Sequence, residues 1–126
     1  MLPAQEGKAS WVLREELAEA AAHVLTTEGH ENKSYVLTNT ESTSFGDVAK
    51  ELSSKLGKEI HYQSPPVEKF QATLKQVGVP ELYIGMFTTW ASALAQGMLD
   101  VEDATLASFL GRKPTTTAQF ISQVYA

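Results

Sequence analysis

Cysteine is absent from this 126-residue chain. That removes disulfides, thiolate nucleophiles and cysteine-ligated metals together, and makes a reducing cytoplasm the expected compartment. No apolar run reaches the roughly 20 residues that a bilayer-spanning helix needs. The opening Met1–Lys8 has neither the charged start nor the apolar stretch of a signal peptide, so the chain reads as soluble. Clustered positive charge is also lacking. The net charge is −5 and the longest basic run is Arg112-Lys113, which excludes the basic stripe of a nucleic-acid binder.

The familiar catalytic patterns are missing too. The eight glycines stand at 7, 29, 46, 57, 78, 85, 97 and 111. None of them forms the G-x-G-x-x-G turn that cradles a pyrophosphate, nor a P-loop. The chain alone is therefore not expected to hold a dinucleotide in the usual way. No G-x-S-x-G elbow is present, and Ser42, Ser44, Ser53 and Ser54 read as loop, cap and helix-surface residues. None of Tyr35, Tyr62, Tyr83 and Tyr125 is followed four residues later by a lysine, so the Tyr-x-x-x-Lys pair of short-chain dehydrogenases is absent. His23, His30 and His61 are scattered, without the spacing of metal ligands. His23 reads as a helix-surface or boundary residue, His30 as a solvated loop residue beside Glu31, and His61 as a strand residue packed near Tyr62.

What is present is an apolar fraction of 43%, sufficient for a core. Residues 1–8 read as a loosely held lead. A helix begins at Arg14, with Leu13, Leu17, Ala20, Ala21, Val24 and Leu25 as its apolar face and Glu15, Glu16 and Glu19 near its positive end. Ser44 and Asp47 have the spacing of a capping box ahead of a helical face made by Phe45, Val48, Ala49, Leu52 and Leu56. Glu51 and Lys55 can pair across one turn of it. Further helices are expected over Val67–Val77, from Pro80 to about Gln96, over Thr105–Leu110, and from a second capping box at Thr116 and Gln119.

Two strands are expected, Ser34–Thr38 and Glu59–Ser64. A helix joins them, so direct pairing would make them parallel. Two isolated strands are marginal in water, and parallel sheets are usually wide and covered on both faces. The expected fold class is thus α/β and mostly helical: five or six helices with two or three short strands, its main parallel sheet missing.

The segment Leu82–Met98 is unusually apolar. Met86, Phe87 and Trp90 fall close together on a helical face, with Thr88 and Thr89 adding hydroxyls. Those three are the candidate substrate-pocket residues. Ordinary core packing is the plainer reading, and a face made to meet a partner is a third.

Several segments resemble a known family. Trp11–Ala20 (WVLREELAEA) is similar to the strand-to-helix segment R-E-D-L-A-E-A of atypical short-chain dehydrogenases, with Glu16 where the family usually has Asp. Gly29–Thr38 (GHENKSYVLT) resembles the turn and strand that follow, Ser44-Phe45 the start of the next helix, and Leu110–Thr116 (LGRKPTT) the lead into the last, followed by Phe120. The matches run in family order along essentially the whole chain. The branch resembled is NmrA-like, in particular the NAD(P)H:quinone oxidoreductase type 2 proteins. The resemblance implies the C-terminal, substrate-side part of a Rossmann-type reductase. Residues 1–126 then form a single substrate-side domain that lacks the N-terminal dinucleotide-binding domain. NAD(P)H would be the cofactor of the complete protein, with none bound to this chain alone, and hydride would pass to a quinone-like acceptor. No catalytic, cofactor-binding or metal-ligating residue carries over. Other readings stay open: a stand-alone helical module binding a ligand or protein, or a non-catalytic NAD(P)-sensing regulator. Exposed apolar surface and a strand edge make self-association an expectation.

Overall fold

The computed structural model describes residues 1–125. Its elements run β1 (Lys8–Ala9), α1 (Arg14–Thr26), β2 (Thr43–Ser44), α2 (Phe45–Leu56), α3 (Val67–Gln76), α4 (Glu81–Ala95), α5 (Thr105–Leu110) and α6 (Thr117–Val124). The helices pair as α1 on α5, α2 on α6 and α3 on α4, and α4 lies against β1.

Local chemistry sets most helix ends where the sequence placed them. The Ser44 hydroxyl accepts the Asp47 N–H while Asp47 accepts from the Ser44 N–H, so both arms of the capping box form at α2. Thr116 and Gln119 do the same at α6. Gly57 and Gly111 end α2 and α5 in the left-handed region, at φ 61° and 66°, which costs a residue without Cβ little. The Glu51–Lys55 pair is not among the ion pairs of the described residues. Lys50 meets Asp47 instead, at 3.6 Å, three residues apart.

The strands differ from expectation. Neither Ser34–Thr38 nor Glu59–Ser64 forms one. The sheet is instead antiparallel, with Lys8 opposite Ser44 and Ala9 opposite Thr43. A strand exists only where another backbone completes its ladder, and among the described residues none does so for either segment. Residues 59–64 are held by isolated bonds: Leu2 N–H to the Gln63 carbonyl and Ile60 N–H to the Ser53 hydroxyl. His61 is therefore not a packed strand residue. It is exposed and reaches Glu59 at 3.3 Å.

The N-terminal lead is not loose. Ala4 is fully buried and forms a core with Ala9 and Leu94, ringed by Leu2, Trp11, Phe45 and Leu99. The Tyr62 hydroxyl accepts the Ala4 N–H and donates to the Leu2 carbonyl. Gly7 makes this packing possible, because a Cβ there would sit 2.0 Å from the Leu94 carbonyl oxygen.

The buried face of α1 is also rotated from expectation. Glu16 and Ala20 are its buried residues, and they share a face at i, i+4. Leu17 and Ala21 are exposed, and Leu25 is 84% exposed.

Candidate functional site

The sequence from Trp11 to Glu15 leads into α1, and that from Thr115 to Thr117 leads into α6. With Phe45, Val48 and Leu52 of α2, Trp90 of α4, and Phe120, Ile121 and Tyr125, they enclose an open, largely apolar cleft of about 600 Å³. That volume suits a small organic molecule, as does an apolar lining with few polar groups.

Three aromatic rings form one wall. Trp11 meets Phe45 edge-on with centroids 5.7 Å apart, and Trp90 at 6.0 Å. Phe45 and Trp90 stand at 6.2 Å and 82°. These distances lie within the favourable range for aromatic pairs. The Trp11 indole N–H donates to the Thr43 carbonyl at 3.1 Å, which fixes the ring. Tyr62 stacks on Phe45 at 5.8 Å.

Of the three sequence candidates, only Trp90 lines this cleft. Met86 and Phe87 lie outside its lining, 58% and 45% exposed. The C-terminal half of α4 is the part seated on the core, through Leu94, while Ile84 and Ala91 fill its buried face. Trp90 reaches Trp11, whereas the Met86 and Phe87 side chains face solvent on the side of α4 away from Ile84.

The Thr115–Thr117 part of the lining is secured by polar groups that sequence reasoning did not single out. Glu16 is only 3% exposed. Its carboxylate accepts the Thr115 N–H at 2.9 Å, the Thr115 hydroxyl at 2.8 Å and Arg112 Nη1 at 2.9 Å. Arg112 Nη2 also reaches Glu19 at 2.7 Å. Burial alone would raise the Glu16 pKa. The bonds from Thr115 and the Arg112 guanidinium outweigh it and leave the carboxyl below its usual value. Glu16 and Glu19 thus act as acceptors for the loop before α6 more than as partners of the α1 dipole. A signal was available: Glu16 falls on the same face as Ala20.

Asn39 is the second such group, 2% exposed. Its amide donates to the Trp11 and Thr115 carbonyls, each at 3.0 Å, and its carbonyl oxygen accepts the Thr40 N–H at 2.8 Å. An asparagine after a presumed strand reads from sequence as an ordinary turn residue, so nothing local marks it.

His30 departs from its solvated reading. Its ring contacts the Tyr35 hydroxyl and the Thr27 hydroxyl, each at 2.7 Å. It sits in an aromatic cluster in which Phe109 stacks on His23 at 5.0 Å. His23 is half-buried, as a boundary residue should be. Among the described residues, no cluster of three or more His, Asp or Glu could hold a metal, and no helix is long and apolar enough to cross a membrane.

In α2, the one helix that opens beside a glycine at a strand end, the Asp47 N–H is taken by the Ser44 hydroxyl and the Ser44 N–H by the Asp47 carboxylate. An incoming anion there would meet a like charge.

No protein-family model matches the chain. The chain is 32% identical to quinone oxidoreductase 2 of Escherichia coli over 97% of its own length and 43% of that protein. It is 32% identical to the NAD(P)H azoreductase of Xenophilus azovorans, over 94% of its length and 42% of that protein. The crystal structure of the E. coli NADPH-dependent quinone oxidoreductase complexed with NADPH superposes with a TM-score of 0.92 at 31% identity, over 99% of this chain and 44% of that one. The chain therefore spans less than half the length of the relatives it matches, and what it matches is their C-terminal part.

Proposed function

We propose that this chain is the substrate-side region of an NAD(P)H-dependent reductase acting on a quinone or related carbonyl compound, a reading supported by its likeness over nearly its whole length to the C-terminal part of the NAD(P)H quinone oxidoreductases. The observation that carries the reading is the aromatic-walled cleft between Trp11, Phe45, Trp90 and Phe120. Such a cleft binds a flat apolar ring system by burial and edge-to-face contact. In this proposal the Thr116 hydroxyl, which accepts the Gln119 N–H and keeps its own proton, donates to the acceptor's oxygen, and the apolar walls exclude water. Hydride donation belongs to the nicotinamide. No cradle for its pyrophosphate exists among the described residues, so these residues are assigned no cofactor step, and the 126-residue chain is inactive alone.

The test is NADPH oxidation in the presence of menadione. The chain as it stands gives no turnover above background, whereas a version extended upstream by a dinucleotide-binding domain does. Sustained NADPH-dependent quinone reduction by the 126 residues would overturn the proposal. Binding is followed separately, by quenching of tryptophan fluorescence with menadione.

A second reading, a stand-alone binding module, is favoured by a different observation. Leu82, Tyr83, Met86 and Phe87 leave one face of α4 apolar and open to solvent. Retention of menadione quenching, together with inactivity of the extended protein in turnover, would favour this reading over the first.

A further inference from the structure

We infer that Asn39 is the positioning residue that sets the separation of the two cleft walls, and with it the selectivity for acceptor size; this rests on reading the cleft as the acceptor site. The walls come from different parts of the fold. Trp11 precedes α1, which packs on α5, whereas Thr115 precedes α6, which packs on α2. The Asn39 side chain bonds to both. One amide hydrogen goes to the Trp11 carbonyl, 28 positions away, and the other to the Thr115 carbonyl, 76 positions away.

The amide is itself held. Its oxygen accepts the Thr40 N–H at 2.8 Å, and the Asn39 main-chain carbonyl accepts the Asp103 N–H at 3.2 Å. The reverse amide orientation would turn the oxygen toward two carbonyls and the NH₂ toward an N–H, so hydrogen bonding dictates the one observed. Asparagine suits the position because a planar NH₂ donates in two fixed directions at once. Asp, Leu and Thr cannot do so.

Glu16 secures the same loop from the α1 side through the Thr115 N–H and hydroxyl. Thr115 is thus gripped at its N–H, its hydroxyl and its carbonyl. Among the described residues, the Asn39 side chain bonds the Thr115 and Trp11 main chains at once, whereas Thr117 reaches Trp11 only through Thr43, by a longer contact of 3.3 Å. With the Asn39 bridge the gap between Trp11 and Thr115 has one value. Without it Thr115 keeps its bonds to Glu16 but loses its tie to the Trp11 main chain, so the lead into α6 shifts relative to Trp11 and the cleft loses its preference for one acceptor thickness and width.

The experiment uses the natural lack of cysteine. Spin labels are placed on Ala18→Cys and Gln123→Cys, both exposed positions on α1 and α6, and their separation is measured by double electron–electron resonance. With Asn39 present the distance distribution is narrow. In Asn39→Ala it broadens or shifts while far-UV circular dichroism is unchanged. Asn39→Ser, which keeps one donor, falls between the two and carries the measurement if Asn39→Ala does not fold. In parallel, tryptophan quenching gives dissociation constants for one-ring duroquinone, two-ring menadione and three-ring phenanthrenequinone. The ratio of the strongest to the weakest falls by about tenfold in Asn39→Ala, the equivalent of one hydrogen bond's net worth. A loss of stability alone would weaken all three equally. An unchanged distance distribution in both variants overturns the inference. Failure of all three quinones to quench the unsubstituted protein overturns the acceptor reading instead, while the distance measurement still decides the role of Asn39.

Discussion

Glu16 and Thr115, ninety-nine positions apart, are joined by a carboxylate that accepts both the backbone N–H and the hydroxyl of the threonine, at 2.9 and 2.8 Å. This contact binds the first helix to the loop that opens the last one, and so holds one side of the cleft. Two results are expected. Glu16→Gln keeps the shape but gives up the charge that strengthens the bonds from Thr115 and Arg112. It should cost about 1.5–3 kcal/mol in urea unfolding at neutral pH. The Glu16 carboxyl also lies below its ordinary value in the folded state. Its contribution is therefore fully present above the unfolded-state pKa of about 4.3 and is lost as the pH falls through the depressed folded value. The stability difference between the parent chain and Glu16→Gln should accordingly shrink as the pH drops below about 4. A constant difference down to that range would contradict the assignment.

Gly7 and Gly46 should respond to alanine with opposite signs. At Gly7 the added Cβ meets the Leu94 carbonyl at 2.0 Å, backbone against backbone, and no rotamer relieves it. A loss of about 3 kcal/mol, at the upper end of overpacking penalties, is expected. At Gly46 in α2 the nearest atom is the Ser44 hydroxyl at 3.5 Å, an ordinary contact. Helix propensity then dominates, and a gain of about 0.5–1 kcal/mol is expected. Thermal unfolding of the two variants side by side decides both.

Ser44→Ala removes one arm of the capping box at α2. The expected cost is about 1 kcal/mol. A more specific signature comes from Asp47, whose pKa is lowered chiefly by hydrogen bonds from the Ser44 side chain and backbone. In Ser44→Ala the Asp47 carboxyl should titrate closer to the ordinary range. Its side-chain carbon resonance followed through an acid titration by NMR reads this directly, and an unmoved titration would show that the box does not bind in solution.

Trp90 and its neighbours on α4 should separate cleanly in ligand binding. Trp90→Ala removes part of the aromatic wall and should weaken menadione binding by about tenfold or more, in keeping with the worth of an aromatic contact plus its buried area. Met86→Ser with Phe87→Ser alters only exposed positions and should leave that affinity within about twofold, a change worth under 0.5 kcal/mol. Equal losses in the two proteins would mean that the cleft extends over the exposed face of α4.

Much of the helical framework was legible because helix boundaries are short-range events. A cap joins residues three apart, and a left-handed glycine ends a turn by its own φ, so Ser44, Gly57, Gly111 and Thr116 could be placed from sequence alone. The strands were not legible in this way. Ser34–Thr38 has the β-branched and aromatic make-up of a strand, yet Tyr35 packs on Phe109 and bonds His30. Composition gives a segment the capacity to pair, and a neighbouring backbone decides whether it does. Trp90 could be nominated from its helical spacing, but which turn of α4 meets the core depends on the approach of Gly7 to Leu94.

The sequence by itself determined the helix limits, the absence of a glycine cradle for pyrophosphate, and a resemblance that the comparisons with known reductases bear out. All three are read from residues a few positions apart or from ordered motifs. Only the tertiary structure decided that a glutamate and an asparagine, buried and 23 positions from each other, converge on one threonine and hold the cleft between them. A buried polar group is committed by the partners that replace its lost water, and those partners lie too far along the chain for any local pattern to announce them.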